Sequence, residues 1–330
     1  MYSCEFFFWD DFKVESRNGV IYAGDSEGVI FEESNKKSAY VACPAFVNYH
    51  THLGDSVAKD PPFSGIEIVM PKGYKFRVLK EYEDNIVQAM EKAIKHMILS
   101  GVLKAFDFRE GGISGIKALR SADKAGICVA LGRPEENELE ELLKVSDGFG
   151  ISSVRDVGFE KASEMREFAK KRKKLFFVHA GEVDSKDVDQ AVELRPDAIV
   201  HMNMAEIKQI KRAMDERIKI VSCIRSNMFF DVARIENYRF LKEYEGWRIG
   251  TDNVMLSSPS MLEEMHFASY VTRDVENVFR AATCEGMKYG VVIFHKRLNF
   301  SNSNNALATL VRRAGMEDIE CVIPGEVKIE

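Results

Sequence analysis

Pro44-Ala45-Phe46-Val47-Asn48-Tyr49-His50-Thr51-His52 is an apolar run closed by two histidines, and the fold is read outward from it. Side chains along a strand alternate with period two, so a strand here projects His50 and His52 to one side. Seven more apolar runs of strand length follow: VLKAFDF from Val102, GICVALG from Gly126, FGISSV from Phe149, LFFVHA from Leu175, DAIVHM from Asp197, IKIVSC from Ile218 and WRIGTD from Trp247. Continuous apolar runs, rather than alternating ones, are the mark of parallel strands buried on both faces. Amphipathic helical stretches lie between them. In EDNIVQAMEKAIKHMILSG, Ile86, Met90, Ile94 and Met97 share one face and Gly101 stops the helix. Eight strand–helix units over roughly 250 residues match a closed (β/α)8 TIM barrel of the α/β class. An open doubly wound sheet gives the same alternation. The count of eight and the absence of a GxGxxG phosphate loop favour the barrel.

The flanks read differently. EFFFWDDFKV, GVIYAG and GVIFEES are short strands separated by Asn-Gly and Ser-Glu-Gly turn signals. The tail runs through KRLNFSN and a helix at ALATLVRRAG to ECVIPGEVKI. The expectation is a small β-domain from residues 1–44 with 296–330, its tail strand pairing with the N-terminal strands, and a (β/α)8 barrel at 45–295. Between the first two barrel strands lies an unusually long connection. Its part from Pro61 to Phe76 is rich in Pro and Gly and carries Phe63, Ile66, Met70, Tyr74 and Phe76. It is expected over the barrel mouth, walling a pocket.

Composition bounds the function classes. A chain of 330 residues with 45% apolar content supports a large core. Net charge of −6 and a pI near 5.8 give no reason to expect a nucleic-acid partner. The one basic run, Lys170 to Lys174, reads as an exposed helix end. Six cysteines without a CxxC pair fit buried thiols in a reducing compartment. The start, MYSCEFFFWDD, has no basic region of a signal peptide, and no apolar stretch reaches membrane-spanning length. The expectation is a cytoplasmic protein with a small-molecule substrate, no nucleic acid and no membrane, and room for homo-oligomers.

The chemistry sits at strand ends. Of seven histidines, four close barrel strands: His50, His52, His179 and His201. Asp252 closes a fourth such strand, since His50 and His52 share one. Active sites of (β/α)8 barrels lie at this face, where the C-terminal strand ends converge. A single histidine at a strand end is usually ordinary core, but four with an aspartate are suited to a divalent ion. His96, His266 and His295 fall on helices or near the tail and carry no such pattern. Arg109 follows the second strand, and Arg225 and Asn227 follow the seventh. With Phe63 they are the candidate substrate contacts, an arginine suiting a carboxylate or phosphate.

These motifs resemble the amidohydrolase superfamily. Its PGxxxxHxH signature is similar to PAFVNYHTH here. Its deaminase-like branch, that of cytosine deaminase, chlorohydrolase and adenosine deaminase-type enzymes, places a Glu three residues after the fifth-strand His. That is His179-Ala180-Gly181-Glu182 in this chain. The sixth-strand His matches His201, and CIRSN at 223–227 resembles a CPRSN segment. GTDNVMLSSPSMLEEM resembles the eighth-strand region. The resemblance covers residues 1 to about 290, with the motifs in family order. It implies one Zn2+ or Fe2+ held by His50, His52, His179 and Asp252. It makes Glu182 a proton carrier to a ring nitrogen, His201 a group that orients the attacking hydroxide, and Asp252 also a proton acceptor.

Three departures matter. Ala45 replaces the usual Gly, which affects only a turn. The tail lacks the family's glycine- and aspartate-rich strand segment. No lysine ends the fourth strand, where binuclear members carry a carboxylated one, so a single ion is expected. The implied function is hydrolysis of a carbon–nitrogen bond outside peptides, as an aminohydrolase of a small nitrogen heterocycle. The alternative is cyclic amide hydrolysis resembling imidazolonepropionase. A metal-free binding protein on the same fold is the rival of another class, and metal content separates it.

Overall fold

The computed structural model describes residues 1–330 except 11–12, 25–27, 63–64, 71–72 and 136–137. The chain is mixed α/β with two separate sheets. It divides into two compact units, Met1–Asn48 with Lys95–Lys104 and Ser260–Glu330, and Tyr49–Ile94 with Ala105–Pro259.

All eight apolar runs are strands of one curled sheet. Phe46–His52, Val102–Arg109, Cys128–Gly132, Gly148–Ile151, Leu175–Ala180, Ala198–His201, Lys219–Ser222 and Trp247–Ile249 lie side by side in sequence order, and Asp252–Asn253 makes a ninth, short strand. The register is parallel at Ala198–Phe177, Ile220–Trp247 and Asp252–Thr51. Trp247–Ile249 pairs with Lys219–Ser222, while Asp252–Asn253 pairs with Phe46–His52. One short segment of chain thus reaches both edges of the sheet. Every residue of Phe46–His52 is buried, as a parallel strand covered on both faces requires. The helix expected after the first strand is Ile86–Leu99, with Met90, Ile94 and Met97 buried. Gly101 ends it at φ 88°, a left-handed conformation that costs glycine little.

The long connection is ordered where described. It contains a short 3-10 turn at Ile66–Ile68 and a helix at Tyr74–Glu81. Ile68 and Val78 pack with Ala58, Phe230 and Met255 in a small apolar cluster.

The second sheet has seven strands, and its tail strand pairs with the N-terminal ones as expected. Val327–Ile329 runs parallel to Val29–Glu33, and Gly290–His295 pairs antiparallel with Tyr40–Pro44. Gly290–His295 falls before the expected boundary at 296 but lies in this sheet. Its apolar sequence fits a buried strand of either sheet equally well. Phe6, Ile21, Phe31, Ala42, Val291 and Ile293 form the sheet's core. Among the described residues no helix is long and apolar enough to cross a membrane.

Candidate active site

His50 is the centre of the site. It stands near the end of the first strand, fully buried, with His52 beside it two residues on. Their rings meet edge to face at 4.8 Å, so the period-two spacing does set both on one side. His50 Nε2 lies 3.2 Å from His179 Nε2 and 3.1 Å from Asp252 Oδ1. His52 Nε2 lies 3.6 Å from the same carboxylate oxygen. His201 completes the group, its ring 5.3 Å from that of His179. The structure therefore brings together all five strand-end groups singled out in the sequence. Phe108 lies against His50 at 4.5 Å and His179 at 4.6 Å, an apolar floor that fixes both rings.

Local backbone aims these groups. His201 and Asp252 adopt positive φ, 78° and 58°, which is costly for residues with a Cβ and concentrated at functional sites. Gly250 lets the eighth strand approach the first. A Cβ there would lie 2.6 Å from the His50 nitrogen.

Hydrogen bonds fix the tautomers. His179 Nδ1 donates to the Ile151 carbonyl at 2.9 Å, which leaves its Nε2 lone pair facing His50. Asn227 Nδ2 donates to the Tyr238 hydroxyl, so Asn227 Oδ1 accepts from His201 Nδ1 at 3.0 Å. His201 Nε2 then faces Glu182 Oε2 at 3.7 Å. Ser226 Oγ donates to Asp252 Oδ2 and holds that carboxylate.

Burial sets the charge states. It pushes His50 down to about 3 and, helped by the neighbouring His50, holds His179 well below the usual imidazole value. Burial alone would raise Asp252, but its contact with His50 outweighs this and keeps it well below the carboxylate range. Burial raises Glu182, opposed by His201. Neutral imidazoles and an ionised carboxylate converge, with two ring nitrogens 3.2 Å apart. Facing lone pairs at that distance repel unless a proton or a cation is shared between them. This donor set fits a divalent metal ion. Among the described residues, two overlapping trios have ligand atoms within 4.8 Å of one another: His50, His179 and His201, and His50, Cys223 and Asp252.

A cavity of about 220 Å³ opens above the cluster. Ile66, Val69, Met70, Lys75 and Phe76 of the long connection line it, with His52, Glu110, Arg133, Arg155, Glu182 and Asp252. Phe63 lies outside the described residues. Arg109, Arg225 and Asn227 do not line this cavity. Arg109 is buried, its guanidinium 2.6 Å from Glu110 and 3.7 Å from Asp107. Arg225 donates to the Ser258 carbonyl. Asn227 is buried behind His201. Lys75 and Phe108 were missed in the sequence. Phe108 had one available signal, its place among the apolar residues at the end of a barrel strand, whereas Lys75 is one lysine among several.

The model of the Amidohydrolase family matches residues 41–289. The chain belongs to the amidohydrolase family. As an amidohydrolase it is a hydrolase of carbon–nitrogen bonds other than peptide bonds. An Archaeoglobus fulgidus protein named "Putative aminohydrolase" is 41% identical to this amidohydrolase over 312 residues, 92% of this chain and 93% of that one. Among solved structures, guanine deaminase from C. acetobutylicum with bound guanine has a TM-score of 0.76 at 14% identity, covering 99% of both chains. An adenosine deaminase from Xanthomonas campestris with bound zinc has a TM-score of 0.71 at 14% identity, covering 98% of this amidohydrolase and 92% of that chain. At these identities the two deaminases speak for the fold alone.

Proposed function

We propose that this amidohydrolase is a single-metal aminohydrolase that releases ammonia from a small nitrogen heterocycle, on a closed (β/α)8 barrel. The observation that carries the reading is Glu182, a carboxyl raised by burial and standing 3.7 Å from His201 at the edge of the candidate metal ligands. His50, His52, His179 and Asp252 would hold the ion, with zinc favoured by the nitrogen-rich donors and iron the alternative. When bound, the ion supplies a water acidic enough to attack at neutral pH.

The chain's own groups do the rest. Asp252, ionised and held by Ser226, accepts a proton from the attacking water. Glu182 delivers a proton to the ring nitrogen beside the attacked carbon, which makes that carbon electrophilic. His201, its Nδ1–H held by Asn227, offers the Nε2 lone pair to the O–H of the attacking water and so orients it. Ile66, Val69, Met70 and Phe76 give a wall suited to a planar ring. Support for the class comes from the aminohydrolase name of the Archaeoglobus fulgidus relative. The barrel reading rests on the Trp247–Asn253 segment, which pairs with both sheet edges.

The test is incubation of metal-loaded protein with a panel of aminopurines, aminopyrimidines and cyclic amides, reading ammonia and product mass. Ammonia with exchange of an amino group for oxygen is expected. A ring-opened product without ammonia would replace deamination by cyclic amide hydrolysis.

A further inference from the structure

A buried ionic cluster lies behind His52, and the metal reading does not use it. Lys75, on the helix Tyr74–Glu81, is only 4% exposed. Its Nζ lies 2.7 Å from Glu110 Oε1 and 3.0 Å from Asp55 Oδ2. Glu110 Oε1 also lies 3.3 Å from His52 Nδ1, while Glu110 Oε2 takes Arg109 at 2.6 Å. Asp107, beside Arg109, accepts from the Leu53 amide at 2.6 Å. Glu110 Oε2 thus accepts a hydrogen bond from Arg109, while Oε1 has Lys75 Nζ and His52 Nδ1 within ion-pair distance without hydrogen-bond geometry to either.

We propose that Lys75 and Glu110 are positioning residues for the metal centre: Lys75 holds Glu110, and Glu110 fixes His52 through Nδ1 so that its Nε2 points at the site. The inference rests on the proposal that His52 is a metal ligand. Three observations carry it. The first is position, because His52 Nε2 faces Asp252 while Nδ1 faces Glu110, so the ring bridges the two carboxylates. A carboxylate on the far nitrogen of a ligating imidazole sets its tautomer and raises its basicity. The second is charge. Asp55, Asp107 and Glu110 against Lys75 and Arg109 are a formal excess of one negative charge in a buried cluster, and Asp252 formally adds another. Buried charge without compensation is strongly disfavoured, and a dication at the site balances both. The third is origin. Lys75 comes from the connection that also supplies Ile66, Val69, Met70 and Phe76 to the cavity wall. One element therefore shapes the pocket and steadies a ligand.

The test measures metal binding directly. Apo protein is titrated with Zn2+ against a chromophoric chelator, and the visible bands of the Co2+-substituted protein are recorded. Wild type is compared with Glu110→Gln, Lys75→Met, the charge-balanced pair Lys75→Met with Asp55→Asn, and the exposed control Lys80→Met. Circular dichroism selects the folded variants. The charge-balanced pair guards against Lys75→Met failing to fold. Tenfold or greater loss of Zn2+ affinity with shifted Co2+ bands in the folded cluster variants, and none in Lys80→Met, is the expected result. Wild-type affinity and bands in those variants overturn the inference and leave the metal site standing. A higher KM for Glu110→Gln with unchanged affinity makes Glu110 a substrate contact and also overturns it. Wild type that takes up no metal overturns the proposed function itself, and the inference with it.

Discussion

Glu182 and His201 face each other across 3.7 Å, and only one of them needs to carry a proton for deamination. Glu182→Gln keeps the size of the side chain and removes the transferable proton. The expected outcome is unchanged metal content and fold with kcat lowered by roughly 10²–10⁴, the usual contribution of a general acid–base group. Near-normal turnover in that variant takes Glu182 out of the mechanism. His50, His52, His179, His201 and Asp252 were legible because each closes an apolar run, and strand ends converge in this architecture. The flanking polar residues were not. That Arg109 follows a strand says nothing about its direction, and the structure turns it into the cluster of Asp107 and Glu110. A usable signal was present in Asp107 and Arg109. Two opposite charges at period two at the end of a largely apolar strand read as a buried pair rather than a substrate contact. Asn227 was seen in its motif, but its role behind His201 depends on Tyr238, which no local pattern links to it.

The eighth strand is where the elements are most tightly constrained. Trp247–Ile249 and Asp252–Asn253 pair with different neighbours, and Gly250 and Thr251 join them. A methyl on Gly250 would meet the His50 nitrogen at 2.6 Å and its Cβ at 2.8 Å, both on a buried strand that cannot yield cheaply. Gly250→Ala is expected to cost about 1–3 kcal/mol, as overpacking does, and to lower metal uptake by displacing His50. Urea unfolding and elemental analysis of the same preparation check both effects. Wild-type values in both show that the strands do not need this approach. At this level all eight runs of the curled sheet were legible, because burial on both faces forces an unbroken apolar sequence. Assignment between sheets was not, since Gly290–His295 is equally apolar and joins the seven-strand sheet. The long connection showed its Pro and Gly punctuation, yet its helix at Tyr74–Glu81 is stabilised by Ile68 and Phe230 packing and by buried ion pairs of Lys75. Those contacts are tertiary and leave no periodic trace.

His50 and Asp252 are separated by 202 positions in the chain, yet their side chains meet at 3.1 Å. Between them, in sequence, lie all the other strands of the curled sheet. The candidate ligands thus come from the first strand, the fifth and the short ninth, and no local segment can assemble them when the chain is unfolded. A ligand that binds only the folded state stabilises it by RT ln(1 + [L]/Kd), about 2.7 kcal/mol at one hundred times Kd. The site is also one in which burial strips His50 and His179 of their protons beside an ionised Asp252, so the apo fold retains an uncompensated carboxylate. Both effects have the same sign. The thermal midpoint is therefore expected to fall on chelation and to return with Zn2+, by roughly 5 °C for a chain of this size at that excess. Scanning fluorimetry with chelator, then with metal, reads it directly. His179→Ala should abolish most of the metal-dependent shift, and Glu182→Gln should keep it, because Glu182 stands beside His201 and is not among the proposed ligands. An unchanged wild-type midpoint at saturating metal, or an equal shift in His179→Ala, breaks the link between this cluster and the ion.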